Sequence, residues 1–568
     1  MTNRDNFING LIAKMTLEQK VGQCFVLGFV GTVLTPVTLQ RIRKYHPAGI
    51  RTFVNLRAKT AAHDPYATGG KFADRVARPP KGNVKDYLTD VPVAHIPNKE
   101  YCKMLNSMKQ AALENGLGIP LHITLDAEGG FSSDFCLNGT NLFPQPMGIT
   151  LTGDKELAYE VAWAIARQVT ALGFNWIHSP VLDVNTEPMN SEISIRSYSS
   201  DPDEAAEYAL EALKGYKAGG LITTGKHFPA RGPSIADAHH GLPVIDISEE
   251  ELRKHLIPYQ KLIDAGLPCI MTAHTAYSAF DDKDKAATLS KKILTDLLKG
   301  EMGFKGAITT DDITMGGIVE RYEVADAVIE AINAGCDLIL MRDDSALVDE
   351  VIPRVIEAAR SGRISEERLN DALIRSLSAK YEYGLFENGN LADPEKASDG
   401  IEDPNVIRIT KKAADKTTFV YRSQPGVLPI ADMNKTLLIE QVTPLQMIIN
   451  NFEYHPGLLW KYLYEKYPDL GSVETTMAYD EEDEKRIISH IGLDNPDTII
   501  ITNYHWRRGD NGNDFVLKLH KMYPEKEIIV ITNNHYPLTT MDDYKNVVIQ
   551  YSMDKTAYQN VADILLGK

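Results

Sequence analysis

The sequence predicts a (β/α)8 TIM-like barrel over residues 1–385, a linker over 386–415 and a smaller α/β sandwich domain over 416–568. Three observations predict this. Short, near-continuous apolar runs recur with amphipathic stretches between them, as parallel strands buried on both faces should. The chain has 568 residues, more than one ordinary domain needs. After residue 385 the polar stretch GLFENGNLADPEKASDGIEDPN precedes a second alternating series.

The first series runs QCFVLGFV (23–30), AGIRTFVN (48–55), PLHITLDA (120–127), FNWIHSPVLDV (174–184), LITTGKHF (221–228), LPCIMTAH (267–274), KGAITTDD (305–312) and CDLILMR (336–342). Between these runs lie helical patterns such as DPDEAAEYALEALKGYKAG (201–219) and SEEELRKHLIPYQKLIDAG (248–266), the second opening on a serine placed to cap it. Alternation of this length favours a barrel over its competitor, an open doubly wound sheet. Residues 56–97 form an oversized connection rich in Gly, Pro and basic residues. It follows the second strand, so a barrel would place it on the face that carries active sites. It reads as a surface insertion, with a substrate lid as the alternative. The second series is TTFVYR (417–422), KTLLIEQV (435–442), DTIIITNY (497–504), EIIVITNN (527–534) and NVVIQYS (546–552), with no glycine-rich phosphate loop.

Composition narrows the function classes. A net charge of −17 argues against nucleic-acid and anionic-membrane partners, which need a basic field. The five cysteines, Cys24, Cys102, Cys136, Cys269 and Cys336, are scattered and form no CxxC, which fits a reducing compartment. No signal-peptide core and no long apolar span is visible, so a cytoplasmic location is expected. No cofactor or metal site is expected, because no HExxH or comparable spacing occurs.

Polar residues gather at the ends of the expected barrel strands. Asp126 ends the third, Asp183 and Arg196 follow the fourth, Lys226 and His227 end the fifth, His274 the sixth, and Asp311 with Asp312 the seventh. A lone strand-end aspartate often caps the next helix. So many ends of this kind, converging on one barrel mouth, point to a shared site.

The segments LDAEGG (125–130), SIRSYSSDP (194–202), GKHFPARG (225–232) and AITTDDITMGGI (307–318) resemble glycoside hydrolase family 3, and within it the β-N-acetylhexosaminidase branch. The resemblance covers nearly all of residues 10–385. It implies a retaining exo-β-N-acetylglucosaminidase acting on cell-wall fragments or chitooligosaccharides. In that reading Asp311 is the nucleophile, and Asp126, Arg196, Lys226, His227 and His274 grip the sugar. Most retaining glycosidases use a second carboxylic acid as acid/base. The branch uses an Asp-x-His pair instead, and Asp237-Ala238-His239 stands at that place. His239 would protonate the leaving oxygen, and Asp237 would fix its tautomer. Asp312 is expected to cap a helix, Asp183 to brace a loop, and His240 to be a bystander.

Three departures from the family pattern matter, the first being the 56–97 insertion, which has no counterpart in the simplest members. Ala230-Arg231-Gly232 replaces G-H-G, and Phe131 stands where arginine is frequent. Arg231 and the basic residues of the 56–97 stretch could serve an anion, so a phosphorylase using inorganic phosphate is an alternative. A β-glucosidase or β-xylosidase of the same family is another, and an inactive sugar-binding relative a third. The last is disfavoured by intact Asp311 and Asp-x-His.

Overall fold

The computed structural model describes residues 2–53, 96–114, 116–130, 132–134, 139–239, 241–342, 345–442, 457–475, 479, 481–505, 513–535 and 543–568. Apart from residues 96 and 97, the expected insertion lies outside them, as do Cys136, Phe131 and His240. The barrel strands are β1 (Phe25–Val30), β2 (Gly49–Phe53), β3 (His122–Leu125), β4 (Trp176–Ile177), β5 (Ile222–Phe228), β6 (Cys269–Thr272), β7 (Ala307–Thr309) and β8 (Ile339–Met341). They pair in parallel in that order, and β8 returns to β1. A bridge between Thr309 and Leu338 closes the ring between β7 and β8.

Strand alternation explains why the runs read as continuous apolar segments. Val26, Trp176, Ile222, Cys269, Met271, Ala307, Leu338 and Leu340 form one buried cluster. Their neighbours Phe25, Leu27, Ile177, Ile270, Ile308, Ile339 and Met341 join a second cluster with the surrounding helices. One set therefore fills the barrel while the other seats the helices, and both must be apolar. Inside, the Trp176 indole N–H donates to the Thr224 hydroxyl at 2.7 Å, so the large ring brings its own partner.

The helices follow their caps. Asp201 accepts from the Glu204 N–H and starts Pro202–Ala218. Ser248 likewise starts Glu249–Lys254. The single helix expected over 248–266 is two, because Pro258 lacks the N–H that would continue the ladder and instead opens Ile257–Asp264. Residues 386–415, expected as a linker, include most of the helix Pro404–Lys416, which buries Val406, Ile409 and Ala413. Those positions make a helical stripe that the surrounding polar composition hides.

The second domain holds β9 (Thr418–Arg422), β10 (Thr436–Gln441), β11 (Gly471–Thr475), β12 (Thr498–Asn503), β13 (Glu527–Thr532) and β14 (Asn546–Gln550), in the order β9-β14-β13-β12-β10-β11. Only β9 is antiparallel. Residues just past the strand ends meet the barrel. The Asn534 side chain donates to the Ser194 hydroxyl at 3.2 Å, and Met147 and Ile195 of the barrel sit in the same buried cluster as Tyr551, Ile501 and Val530. Among the described residues no helix is long and apolar enough to cross a membrane. The described cysteines, Cys24, Cys102, Cys269 and Cys336, are buried thiols.

A Cβ on Gly148 would lie 2.5 Å from the Tyr551 ring. Gly148→Ala is therefore expected to destabilise the protein by about 1–3 kcal/mol, the usual range for overpacking, seen as a lower unfolding temperature in scanning calorimetry. An unchanged temperature would show that Tyr551 yields without cost.

Candidate active site

The end of β5 is shaped by one carboxylate. Asp183 accepts the backbone N–H of His227 at 3.0 Å, the His227 ring Nδ1–H at 2.7 Å and the backbone N–H of Arg231 at 2.6 Å. This fixes the turn from Lys226 to Arg231 from beneath, the loop-bracing role expected for it. Burial pushes Asp183 up to about 7, against the opposing pull of the Arg231 N–H and guanidinium. Gly232 then crosses so close to Val184 that a Cβ would fall 1.6 Å from its carbonyl oxygen, which leaves room for glycine alone.

Two ion-pair groups flank this turn. In the first, Lys226 Nζ lies 2.8 Å from Asp126 and 2.6 Å from Glu128. Arg196 grips Glu128 with both Nε and Nη2, at 2.7 and 2.9 Å. Arg51 bonds both Asp126 and Asp134. Burial works against the charge on Asp126, but Lys226 and Arg51 outweigh it and hold the carboxyl well below its usual range. In the second group the Arg231 guanidinium bridges Glu192 and Asp311, the latter at 3.1 Å. Asp311 also accepts the Asp312 N–H at 2.7 Å, and His227 Nε2 stands 4.0 Å from it. Burial would raise Asp311, yet Arg231 foremost pulls it below the ordinary carboxylate value. His274 and His239 add to that pull only when protonated, and burial takes His274 down to about 4, so Arg231 is the dependable charge at neutral pH.

Exposure separates the roles. Asp126 and Asp311 keep 27% and 17% of their side-chain surface open, whereas Glu128 and Glu192 keep 3% each. The first two can meet a molecule in the barrel mouth. The latter two hold the cations that shape it.

The loop after Arg231 carries Asp237 and His239. Asp237 Oδ1 accepts the His239 N–H at 2.8 Å and contacts its Nδ1 at 2.5 Å. Glu192 lies 3.7 Å from the same Nδ1. The loop is seated on the residues past β7, where the Gly317 N–H donates to the Ala238 carbonyl at 2.9 Å. Glu192, Asp237 and His239 bring three ligand-type atoms within 4.8 Å of one another. Arg231 is already paired with Glu192, and Asp237 with Nδ1, so the donor set suits a proton-handling cluster rather than a cation.

The structure thus brings Asp126, Arg196, Lys226, His227, Arg231, Asp237, His239 and Asp311 to one mouth. His274 lies below it. Its Nδ1 meets the Thr288 hydroxyl at 2.7 Å and its Nε2 donates to the Asp312 carbonyl at 2.9 Å, so it supports the chain beneath Asp311. Asp312 ties Thr314 and the Arg342 N–H rather than a helix end. Arg231, expected as an anion or substrate contact, is engaged with carboxylates on both sides. Sequence reasoning missed Arg51, Glu128, Asp134 and Glu192. Arg51 had a readable signal, an arginine inside an apolar strand. Glu128 lay unremarked within LDAEGG, and Glu192 just ahead of SIRSYSSDP carried no signal.

The family model for the glycosyl hydrolase family 3 N-terminal domain matches residues 75–379. The chain is 32% identical over 350 residues to a beta-hexosaminidase A of Pseudoalteromonas piscicida, a match spanning 58% of each chain. It is 36% identical over 248 residues to a beta-hexosaminidase of Tolumonas auensis, spanning 43% of this chain and 71% of that protein. Among solved structures, a glycoside hydrolase family 3 beta-N-acetylglucosaminidase from Paenibacillus sp. str. FPU-7 superposes with a TM-score of 0.77 at 26% identity, over 97% of both chains.

Arg231→Met withdraws the cation that offsets the burial of Asp311. The carboxyl is then expected to titrate at higher pH, so the acid limb of any activity that needs it ionised should move up in pH, as followed by kcat/KM against pH. A limb that stays in place would mean another group holds the charge.

Proposed function

Because the chain belongs to glycosyl hydrolase family 3, we propose that it is a retaining exo-β-N-acetylglucosaminidase of cell-wall fragments or chitooligosaccharides. The observation that carries this reading is the 2.5 Å contact between Asp237 and His239, on the loop that also presents Arg231 to Asp311. Asp311, ionised and open to the mouth, attacks the anomeric carbon while the aglycone oxygen takes a proton from His239. Asp237 holds the imidazole by Nδ1, which leaves Nε2 as the proton-bearing atom, and supports the imidazolium. In the second step His239 takes a proton from water, which displaces Asp311 from the sugar. Asp126 accepts from sugar hydroxyls, and Lys226 and His227 line the same wall.

The relatives named above as a beta-N-acetylglucosaminidase and as beta-hexosaminidases support the substrate class. A β-glucosidase or β-xylosidase reading leaves the Asp237–His239 pair without a task. A phosphorylase reading draws nothing from Arg231, whose charge is shared between Glu192 and Asp311. Proton NMR of the products from p-nitrophenyl N-acetyl-β-glucosaminide in phosphate buffer tests the reading. Initial release of free β-anomer supports it, a sugar 1-phosphate makes the chain a phosphorylase, and turnover of the plain glucoside alone overturns the substrate class.

Asp311→Asn is expected to abolish turnover with the protein still folded, as read by circular dichroism; retained activity removes the nucleophile assignment. His239→Ala is expected to cost about 10²–10⁴-fold on poor leaving groups and far less on activated aryl glycosides, since only the former need full protonation. Equal losses on both would count against an acid role.

A further inference from the structure

Glu192 touches both halves of the site without reaching the mouth. Its Oε1 receives Arg231 Nη1, whose Nη2 holds Asp311 at 3.1 Å. The same oxygen lies 3.7 Å from His239 Nδ1, and Oε2 lies 3.4 Å from the Ala238 N–H. Its backbone carbonyl accepts Arg196 Nη1 at 2.9 Å, and the Asn190 side chain accepts its N–H at 2.9 Å. The carboxylate is thus held rigidly between the nucleophilic acid and the imidazole.

The charges facing His239 come from several elements. Asp237 and Arg231 lie on its own loop, Glu192 on the segment after β4, Asp311 at the end of β7, and His274 at the end of β6. Glu320 lies beside Gly241, two residues on. Before reaction the carboxyl groups of Asp237, Glu192 and Asp311 stand around the imidazole, with the Arg231 guanidinium between the last two and that of Arg196 on the Glu192 carbonyl, and carboxylates so placed favour imidazolium. In the first step the bond from Asp311 to the anomeric carbon forms. The bond to the aglycone oxygen breaks, its electron pair stays on that oxygen, and the proton comes from His239. Asp311 is then a neutral ester, so Glu192 is the remaining carboxylate bonded to the Arg231 guanidinium. The second step returns a water proton to His239 and the electron pair to the Asp311 carboxylate.

We propose that Glu192 is a positioning residue that sets the protonation of His239 through this cycle, helping to hold it as an acid while Asp311 is ionised and allowing it to act as a base once Asp311 is esterified. The inference rests on the roles proposed above for Asp311 and His239.

The test compares kcat/KM against pH for wild type, Glu192→Gln and Glu192→Asp on an unactivated N-acetylglucosaminide. Removing an anion beside an imidazolium favours its neutral form. The alkaline limb, where the acid is lost, should therefore move to lower pH by about one unit in Glu192→Gln. Glu192→Asp, which keeps the charge, should restore most of the shift. A uniform loss with the limb unmoved would make Glu192 merely structural and overturn the proposal. Should Glu192→Gln fail to fold, the wild-type enzyme still decides. In ¹⁵N NMR the His239 ring signal, identified by its loss in His239→Ala, should titrate at lower pH after trapping with a 5-fluoro glycosyl fluoride. No change on trapping overturns the proposal. Failure of the underlying reading is distinguishable, because His239→Ala would then cost the same on both substrate classes.

Discussion

The site depends on the buried carboxylate of Asp183. By taking the backbone N–H groups of His227 and Arg231 together with the His227 ring, it dictates the path of the chain beyond β5. Lys226 and His227 face the mouth, and Arg231 reaches Asp311, only because that path is held. A buried polar group costs stability unless it is bonded, and Asp183 is bonded on both oxygens, so the constraint is self-consistent. Everything on the 225–240 loop inherits its position from this one anchor and from the packing of Gly232 against Val184.

Around that anchor, burial and charge are balanced by pairing. Lys226, Arg196, Arg51 and Arg231 are nearly inaccessible, and each meets a carboxylate. Removing one member of such a pair strands the other, at a cost of about 3–5 kcal/mol. Of the carboxylates in these pairs, the arrangement leaves Asp126 and Asp311 the most open to the mouth. The segment Asn190–Arg196 joins the two groups, since Glu192 pairs with Arg231 and Arg196 with Glu128. The second domain grips this segment through Ile195 and Ser194. Its packing therefore bears on a turn that shapes the mouth.

Much of this was legible in the chain. The eight barrel runs appear as strands in the expected order, though β4 is only Trp176–Ile177, and the residues that follow keep separate bonds to β5, such as the Thr224 N–H to the Ser179 carbonyl at 3.0 Å. The polar strand ends do converge, and Asp237 and His239 do meet. What periodicity could not resolve was where polarity hides order, as in the helix Pro404–Lys416. It also could not assign partners. Arg231 read as a spare cation, because nothing along the chain ties it to Glu192, 39 residues away. His274 read as a mouth residue, because a strand end does not reveal that both ring nitrogens turn inward.

The amino-acid sequence by itself determined the barrel, the second α/β domain and the residue types at the strand ends, since those follow from hydrophobic period and local motif. Only the tertiary structure decided which carboxylate meets which cation, which acids stay open to the mouth, and that Glu192 stands between Asp311 and His239. Such pairings join residues far apart in the chain, and burial makes them matter: in a water-poor interior a charge is stable only beside its partner, and that partner is chosen by the fold.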